Sequence, residues 1–241
     1  MAHTFDGFDR RTLRFLAGIR RENTRDRLVK RRADYLEYYV DPGIAFIDAV
    51  GPRLRRLVPG IRAEARVGGS LFSLIKDARF APRERPLREH MELWFWEGER
   101  RAAASAFVLR IEPGAVRIGA GHRRLEGERL EAYRRAVTDR VAGAALARIV
   151  GRLERMGHDL EAPDLARWPR GYEDVASGPA AGFLLQRSLY AEVERGAAVA
   201  TSPELVEQCL EVWRQLRPLH RWLVEHVQGG TDGAAALCSS A

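Results

Sequence analysis

Cysteine and lysine are both scarce in this sequence. Its 241 residues contain two cysteines, Cys209 and Cys238, and two lysines, Lys30 and Lys76. A disulfide framework or a tetrahedral zinc site needs more cysteine and histidine ligands at short spacings, so the sequence excludes both classes. With so few lysines, nearly all of the positive charge belongs to arginine.

Long hydrophobic runs are lacking as well. The first residues, MAHTFDGFDRR, contain no apolar segment like that of a secretory signal. No stretch approaches the roughly 18 consecutive apolar residues of a membrane-spanning helix. Together with the low cysteine content, these absences predict a soluble, cytoplasmic protein that has no membrane partner.

The net charge of +7 comes from arginines that alternate with acidic residues along the chain. A guanidinium presents a bidentate fork to carboxylates and phosphates, so an arginine-rich surface suits an anionic ligand or a nucleic acid. A GC-rich genome also produces such a composition, because arginine then replaces lysine throughout. The interleaved acidic residues favour this compositional explanation.

Hydrophobic spacing predicts helices at both ends of the chain. Three helices are predicted in the N-terminal part and two in the C-terminal part. Four of them cover residues 8–21, 24–39, 42–57 and 126–156, and the fifth begins at residues 201–204. Residues 228–241 have no periodicity and predict a disordered tail, so residues 1–227 are predicted to form a single domain.

The middle of the chain has the short, β-prone segments of an antiparallel sheet. These segments are residues 71–75, 91–96, 105–111 and 115–118. Glu112-Pro113-Gly114 predicts a tight turn between the last two. Residues 183–193 fit either an added strand or a short helix. The predicted fold class is therefore α+β, with an antiparallel sheet of about four to five strands packed against N- and C-terminal helices.

The stretch from residue 68 to 97 contains the densest set of polar groups. In extended chain, Asp77 and Arg79 point to one face, and Arg88 and His90 share a face on the returning segment. An arginine keeps a neighbouring carboxylate ionised, and a nearby histidine transfers protons. Asp77 and His90 are therefore predicted catalytic residues, with Arg79 and Arg88 as an anion clamp. The four residues equally fit a salt-bridge network that only fixes the hairpin.

Three further residues are predicted to bind a ligand. Glu112 offers a second carboxylate at the edge of the sheet, although Glu-Pro-Gly also fits turn chemistry alone. His122 lies in GAGHRR, residues 119–124, which is predicted to lead from a strand into a helix whose backbone amides bind an anion. Trp94 offers an aromatic wall for a ligand, and core packing explains it too.

No cofactor or metal is predicted. Residues 119–124 lack the third glycine of the dinucleotide fingerprint, and an antiparallel sheet is the wrong context for it. The remaining histidines are isolated, which does not favour metal ligation. Any reaction is therefore expected to be cofactor-independent.

A basic run provides a second possible function. It consists of Arg20, Arg21, Arg25, Arg27, Lys30, Arg31 and Arg32. Such a helix face tracks a phosphate backbone in nucleic-acid-binding modules. A solvated helix face also explains the run.

Five segments in order resemble an uncharacterised bacterial and fungal family known as domain of unknown function 2461. The family typically begins with a Phe-x-x-x-(Thr/Ser)-Leu-x-Phe-Leu helix and carries an Arg-Asp-x-Arg-Phe-Ser-x-Asp-Lys-x-Pro-Tyr-Lys signature. The matching segments are FDRRTLRFL (8–16), KDARFAPRERPLR (76–88), IEPG (111–114), PRGY (169–172) and QRSLY (186–190).

The resemblance covers roughly residues 5–226 and implies an α+β fold, but it brings no established reaction. Ala81 and Leu87 stand where the signature has Ser and Tyr, which identifies a divergent member. The sequence thus predicts a cytoplasmic protein that binds a small anionic or polar metabolite, with acid–base chemistry in a specialised biosynthetic pathway. The alternatives are a nucleic-acid- or phosphate-binding module that uses the basic face of residues 20–32, and a scaffold without a ligand.

Overall fold

A computed structural model describes residues 5–77, 79, 84–99, 101, 104–172 and 180–228. These residues form α-helices and one four-stranded antiparallel sheet, so the predicted α+β class is confirmed. No helix of the described chain is both long enough and apolar enough to cross a membrane.

The N-terminal helices are α1 (Arg10–Arg21), α2 (Arg25–Lys30), α3 (Arg32–Tyr35) and α4 (Asp41–Leu57). Asp9 caps α1, because its carboxylate accepts a hydrogen bond from Arg11 N. The single helix predicted over residues 24–39 is wrong. Arg31 leaves the helical conformation, with φ −116° and ψ 39°, and a π-helical turn, Leu36–Val40, connects α3 to α4. Pro42 lies in the first turn of α4, where its missing N–H is not needed.

The sheet has its four strands side by side in chain order. They are β1 (Met91–Trp96), β2 (Ala106–Ile111), β3 (Ala115–His122) and β4 (Leu189–Gly196). The predicted turn joins β2 to β3, and Glu112 N donates to Ala115 O at 2.8 Å. The ambiguous segment 183–193 contributes both to a 3-10 turn, Ala181–Leu185, and to β4.

The strand predicted over residues 71–75 is wrong. Leu71 and Ile75 make only isolated bridges: Leu71 to Val67 and Leu93, and Ile75 to Leu87. Five residues lie between Leu87 and Leu93 but only three between Leu71 and Ile75, so the pairing register changes between the two bridges and no continuous ladder forms.

Residues 119–122 continue β3, so the predicted strand-to-helix junction at this point is also wrong. A strand can run here because two of these residues are glycines. A Cβ at Gly121 would lie 2.1 Å from Leu189 O, and Gly121 has a φ of +133°. Only a residue without a side chain permits β4 to approach so closely.

The helical segment 126–156 consists of two helices, α5 (Gly127–Thr138) and α6 (Arg140–Arg155). Asp139 separates them, because its backbone is extended and its carboxylate accepts hydrogen bonds from Val141 N and Ala142 N. The last helix, α7 (Leu205–Leu223), continues into a π-helical turn, Val224–Gln228. Gln228, where the predicted tail starts, is buried, and residues 229–241 lie outside the described residues.

The chain divides into two compact units. The first comprises Met1–Trp96, Val108–Ile118 and Glu194–Val212, and the second comprises Glu97–Phe107, Gly119–Val193 and Trp213–Ala241. The core of the first includes Tyr39, Phe46, Ile47, Leu54, Leu71 and Phe95. The core of the second includes Phe107, Tyr133, Leu146, Tyr190, Trp213 and Trp222. The single domain inferred from the sequence over residues 1–227 stays a prediction.

Candidate functional site

Asp77 and Arg79 form an exposed ion pair with each other. Asp77 Oδ1 accepts hydrogen bonds from Arg79 N at 3.0 Å and from Nε at 3.1 Å, and Oδ2 accepts one from Nη2 at 2.6 Å. These hydrogen bonds lower the pKa of Asp77 to about 2. No described contact joins Asp77 to Arg88 or His90, so the structure does not bring the four predicted residues together.

Arg88 holds the backbone of the preceding segment. Its Nη1 donates to Ser73 O at 2.8 Å and to Ile75 O at 3.2 Å, and its guanidinium lies 5.2 Å from the centroid of the Phe72 ring. No carboxylate in the described part of the chain pairs with Arg88. Among the described residues its guanidinium meets carbonyl oxygens and an aromatic face, which leaves its charge able to bind an anion.

His90 lies beside a carboxylate that the sequence analysis did not select. His90 lies just before β1, and Glu92 is the second residue of that strand. The distance from His90 Nε2 to Glu92 Oε2 is 3.6 Å, and Arg110 Nη2 donates to Glu92 Oε1 at 3.0 Å. Glu92 is 6% exposed. Burial raises its pKa, but His90 and Arg110 outweigh this effect and lower the pKa to about 2.

Arg110 also begins a row of alternating charges in the first unit. Glu112 Oε1 lies 4.0 Å from Arg110 Nη1 and 3.5 Å from Arg117 Nε. Arg117 Nη2 lies 2.5 Å from Glu194 Oε2. Glu112 is therefore a link in this row as well as part of the turn, and the row restrains the guanidinium that contacts Glu92.

Trp94 follows Glu92 on the same face of β1. The Phe72 ring packs edge-on against it, with centroids 5.0 Å apart. Tyr39 donates its hydroxyl to Phe72 O at 2.9 Å, and burial raises the pKa of Tyr39, so this phenol stays neutral. Trp94 Nε1 has no hydrogen-bond partner among the residues that the structure describes. These rings form an apolar wall next to the polar groups.

His122, the remaining predicted ligand residue, belongs to the second unit. It is buried at the end of β3, where its Nδ1 accepts a hydrogen bond from Arg124 N at 3.3 Å. Arg123 beside it lies 4.1 Å from the centroid of the Tyr190 ring and pairs with Glu192 at 3.1 Å. This part of the chain is a strand end, and the predicted cradle of helix amides is absent from it.

The second unit also contains a buried polar triad that sequence reasoning missed. Ser105 Oγ lies 2.9 Å from His220 Nδ1, and His220 Nε2 lies 3.0 Å from Glu97 Oε1. The hydrogen bond from His220 lowers the pKa of Glu97. Ser105 and His220 are completely buried, which closes the hydroxyl to a substrate. The triad therefore joins distant segments, and its role in this structure is structural.

The basic run is divided among three helices. Arg27 pairs with Glu22 at 2.5 Å, and Arg31 pairs with Asp34 at 2.9 Å. The other basic residues of the run are exposed on separate elements, because α1, α2 and α3 are distinct helices. Within the described chain, no group of three or more histidine, cysteine, aspartate or glutamate residues is arranged to hold a metal ion.

Glu92 and Arg110 carry a sequence signal that could have revealed them. Each is the charged residue of an otherwise apolar strand, in MELWFW and AFVLRI. A charged side chain in such a strand requires a side chain of the other sign next to it on the neighbouring strand.

Comparison with known proteins agrees with the segments that resemble domain of unknown function 2461. A family model described as "Conserved hypothetical protein (DUF2461)" matches residues 11–222, which is most of the chain. No curated protein and no solved structure matches the chain. The chain belongs to the DUF2461 family of conserved hypothetical proteins.

Proposed function

We propose that the protein binds a small anionic or polar metabolite at the sheet face around Arg88, His90, Glu92 and Trp94, and that His90 transfers protons there. The observation that carries this proposal is the buried, ionised carboxylate of Glu92 beside an imidazole. Removing a carboxylate from water costs on the order of several kcal/mol, and ionisable groups held in this way concentrate at functional sites.

Glu92 and His90 have different roles in this proposal. With a pKa of about 2, Glu92 is ionised at neutral pH and is too weak a base to take a proton from a metabolite. Its charge instead orients the imidazole of His90, which is the group that transfers the proton. The His90 side chain is 23% exposed, and no described group bonds its Nδ1, so one ring nitrogen can meet a ligand.

Arg88 provides the recognition of an anion. Its guanidinium has no carboxylate partner in the described residues, and it lies against Phe72, which also packs on Trp94. A ligand carboxylate or phosphate gains a charge-assisted hydrogen bond from Arg88, while its apolar part lies along the rings. The proton transfer proposed here uses these side chains alone, and we propose it as cofactor-independent.

The cytoplasm is the compartment that we propose for this activity, in a specialised biosynthetic pathway. The low cysteine content supports a reducing compartment, and the departures from the family signature at Ala81 and Leu87 support a substrate particular to this chain. A nucleic-acid-binding function has less support, because Arg27 and Arg31 are already paired with carboxylates.

Thermal-shift screening of the full chain against small organic carboxylates and phosphates tests the proposal. We expect at least one compound to raise the melting temperature of the wild-type protein. The shift should disappear in Arg88→Gln and in His90→Gln. It should persist in Arg79→Gln, a control that removes an arginine already paired with Asp77. A panel without any active compound, or a shift that survives Arg88→Gln, contradicts the proposal.

A further inference from the structure

A groove runs between α6 and α7 in the second unit, apart from the site around His90. Its volume is about 270 Å³. It is lined by Ala145, Arg148, Ile149, Arg152, Leu153 and Gln215, together with Pro218. Pockets for small molecules have volumes of roughly 300–1,000 Å³, and the groove is slightly smaller than this range. It therefore suits a ligand smaller than a nucleotide.

The α6 side of the groove presents two parallel rows. Ala145, Ile149 and Leu153 follow one another at a spacing of four residues, which places them in one apolar row along the helix. Arg148 and Arg152 have the same spacing and form a basic row beside it. A ligand that lies along α6 therefore meets apolar and positively charged surface at the same time.

Neither arginine of this row has a counter-charge among the residues that the structure describes. Arg148 Nε donates to Ala144 O at 3.3 Å, and neither Arg148 nor Arg152 pairs with any carboxylate of the described chain. Both side chains are exposed. Like charges one helical turn apart repel each other, so one anion placed between them gains attraction from both and relieves that repulsion.

The α7 side of the groove is held in place by a buried histidine. Gln215 Oε1 lies 2.5 Å from His158 Nε2, and His158 is 3% exposed. This contact restrains the Gln215 side chain at the groove. Pro218, one turn further along α7, adds apolar surface and no donor. The two α7 residues that line the groove are therefore uncharged, and a hydrogen bond fixes one of them.

We infer that this groove binds a medium-chain alkyl carboxylate. The alkyl chain lies on Ala145, Ile149 and Leu153, where it is removed from water. The carboxylate lies between Arg148 and Arg152 and accepts hydrogen bonds from their guanidinium groups. The inference does not depend on the function proposed above, since it involves neither His90 nor Arg88.

Isothermal titration calorimetry of the full chain with decanoate, below the concentration at which decanoate forms micelles, tests the inference. We expect one molecule to bind per chain. The double variant Arg148→Gln/Arg152→Gln should weaken binding about tenfold, because it removes both charge-assisted contacts. Ala145→Trp, which fills the apolar row, should abolish binding if its circular dichroism shows that it folds.

Arg155→Gln is the matched control, because Arg155 is an exposed arginine of the same helix outside the groove. Its affinity for decanoate should equal that of the wild-type protein. Decanol has the same alkyl chain without the carboxylate, and acetate has the carboxylate without the long chain. Both should bind at least tenfold more weakly than decanoate.

Several results would overturn the inference. If decanoate does not bind, the groove is not a site for an alkyl carboxylate. If Arg155→Gln weakens decanoate binding as much as the double variant does, the effect comes from the overall charge of the protein. Decanol that binds as tightly as decanoate shows that the arginines take no part. Binding to vesicles of anionic lipid without binding to monomeric decanoate assigns the basic row to a membrane surface instead.

Discussion

Glu92 holds His90 and Arg110 on opposite oxygens of one buried carboxylate. Oε2 lies 3.6 Å from His90 Nε2, and Oε1 accepts the hydrogen bond of 3.0 Å from Arg110. Glu92 in β1 is thus tied to Arg110 in the neighbouring strand β2 through a charge that is almost completely buried. Stability and the proposed chemistry therefore depend on the same group, and unfolding of a Glu92 variant measures the contribution to stability.

Glu92→Gln should destabilise the protein strongly. The amide keeps the shape of the side chain but leaves the partly buried Arg110 with only its 4.0 Å contact to Glu112 among the described carboxylates. This loss costs about 3 kcal/mol, the lower end of the range for a broken buried pair. Urea unfolding at neutral pH measures the change. Glu112→Gln is the control, because Glu112 is more exposed and its contacts are longer, so its loss should be below about 1 kcal/mol. Equal losses would show that Glu92 is one ordinary member of the charge row.

The free energy of unfolding should fall in acid because of Glu92. Its pKa is about 2 in the folded chain and near 4.5 when exposed. A carboxylate with a lowered pKa stabilises the fold above its unfolded pKa, and this stabilisation is lost as the pH falls through its folded pKa. Between about pH 5 and 2 the wild-type protein should lose roughly 3 kcal/mol more than Glu92→Gln. Urea unfolding at a series of pH values measures this difference, and parallel curves would contradict the assigned pKa.

Gly121→Ala should destabilise the end of β3. The new Cβ would meet Leu189 O at 2.1 Å, and Gly121 has a φ of +133°, which L-residues rarely adopt. We expect a loss of more than about 2 kcal/mol in urea unfolding, from strain and from separation of β3 and β4. Gly114→Ala is the matched control, because a Cβ at Gly114 has no neighbour within 4 Å. A Gly121→Ala protein as stable as Gly114→Ala would show that β4 lies farther from β3.

His220→Phe should destabilise the second unit. Phenylalanine keeps a ring beside Phe107, whose centroid lies 4.5 Å from that of His220, but it cannot bond Ser105 or Glu97. A buried hydroxyl without a partner costs about 1–3 kcal/mol, which urea unfolding measures. The second substitution Ser105→Ala, added to His220→Phe, removes that hydroxyl and should restore part of the loss. If it restores nothing, the triad does not act as a unit.

The fold class can be read from the sequence because periodicity is a local property. The spacing of apolar residues indicates α1 and α4, and alternating or apolar β-prone runs indicate β1 and β2. Residues 71–75 have the same appearance, but their pairing register changes between the Leu71–Leu93 and Ile75–Leu87 bridges, which apolar spacing does not report. The length of β3 depends on the close packing of Gly121 against Leu189, which is 68 residues further along the chain. A local sequence pattern does not report this contact.

The candidate site is less visible in the sequence, because its contacts join separate strands. His90 and Arg88 lie in a conspicuously polar segment, which is enough to identify them as candidates. Glu92 stands out only when its partner Arg110 is known, and that partner lies 18 residues away along the chain. His220 contacts Ser105 across 115 residues. Asp77 and Arg79 fit the spacing of strand neighbours, but Asp77 accepts the backbone N–H of Arg79 in a tight local arrangement. The polarity of these residues is visible in the sequence, and their partners are not.

Native mass spectrometry of the freshly purified full chain tests the central claim most directly, because it detects a bound metabolite whatever its chemical identity. We predict one small organic anion per chain on the wild-type protein and on Arg79→Gln, and none on Arg88→Gln. Before the measurement, each protein is also incubated with the most active compound of the thermal-shift panel. A bare wild-type mass after that incubation, or an adduct that Arg88→Gln retains in full, would contradict a ligand site at Arg88 and His90.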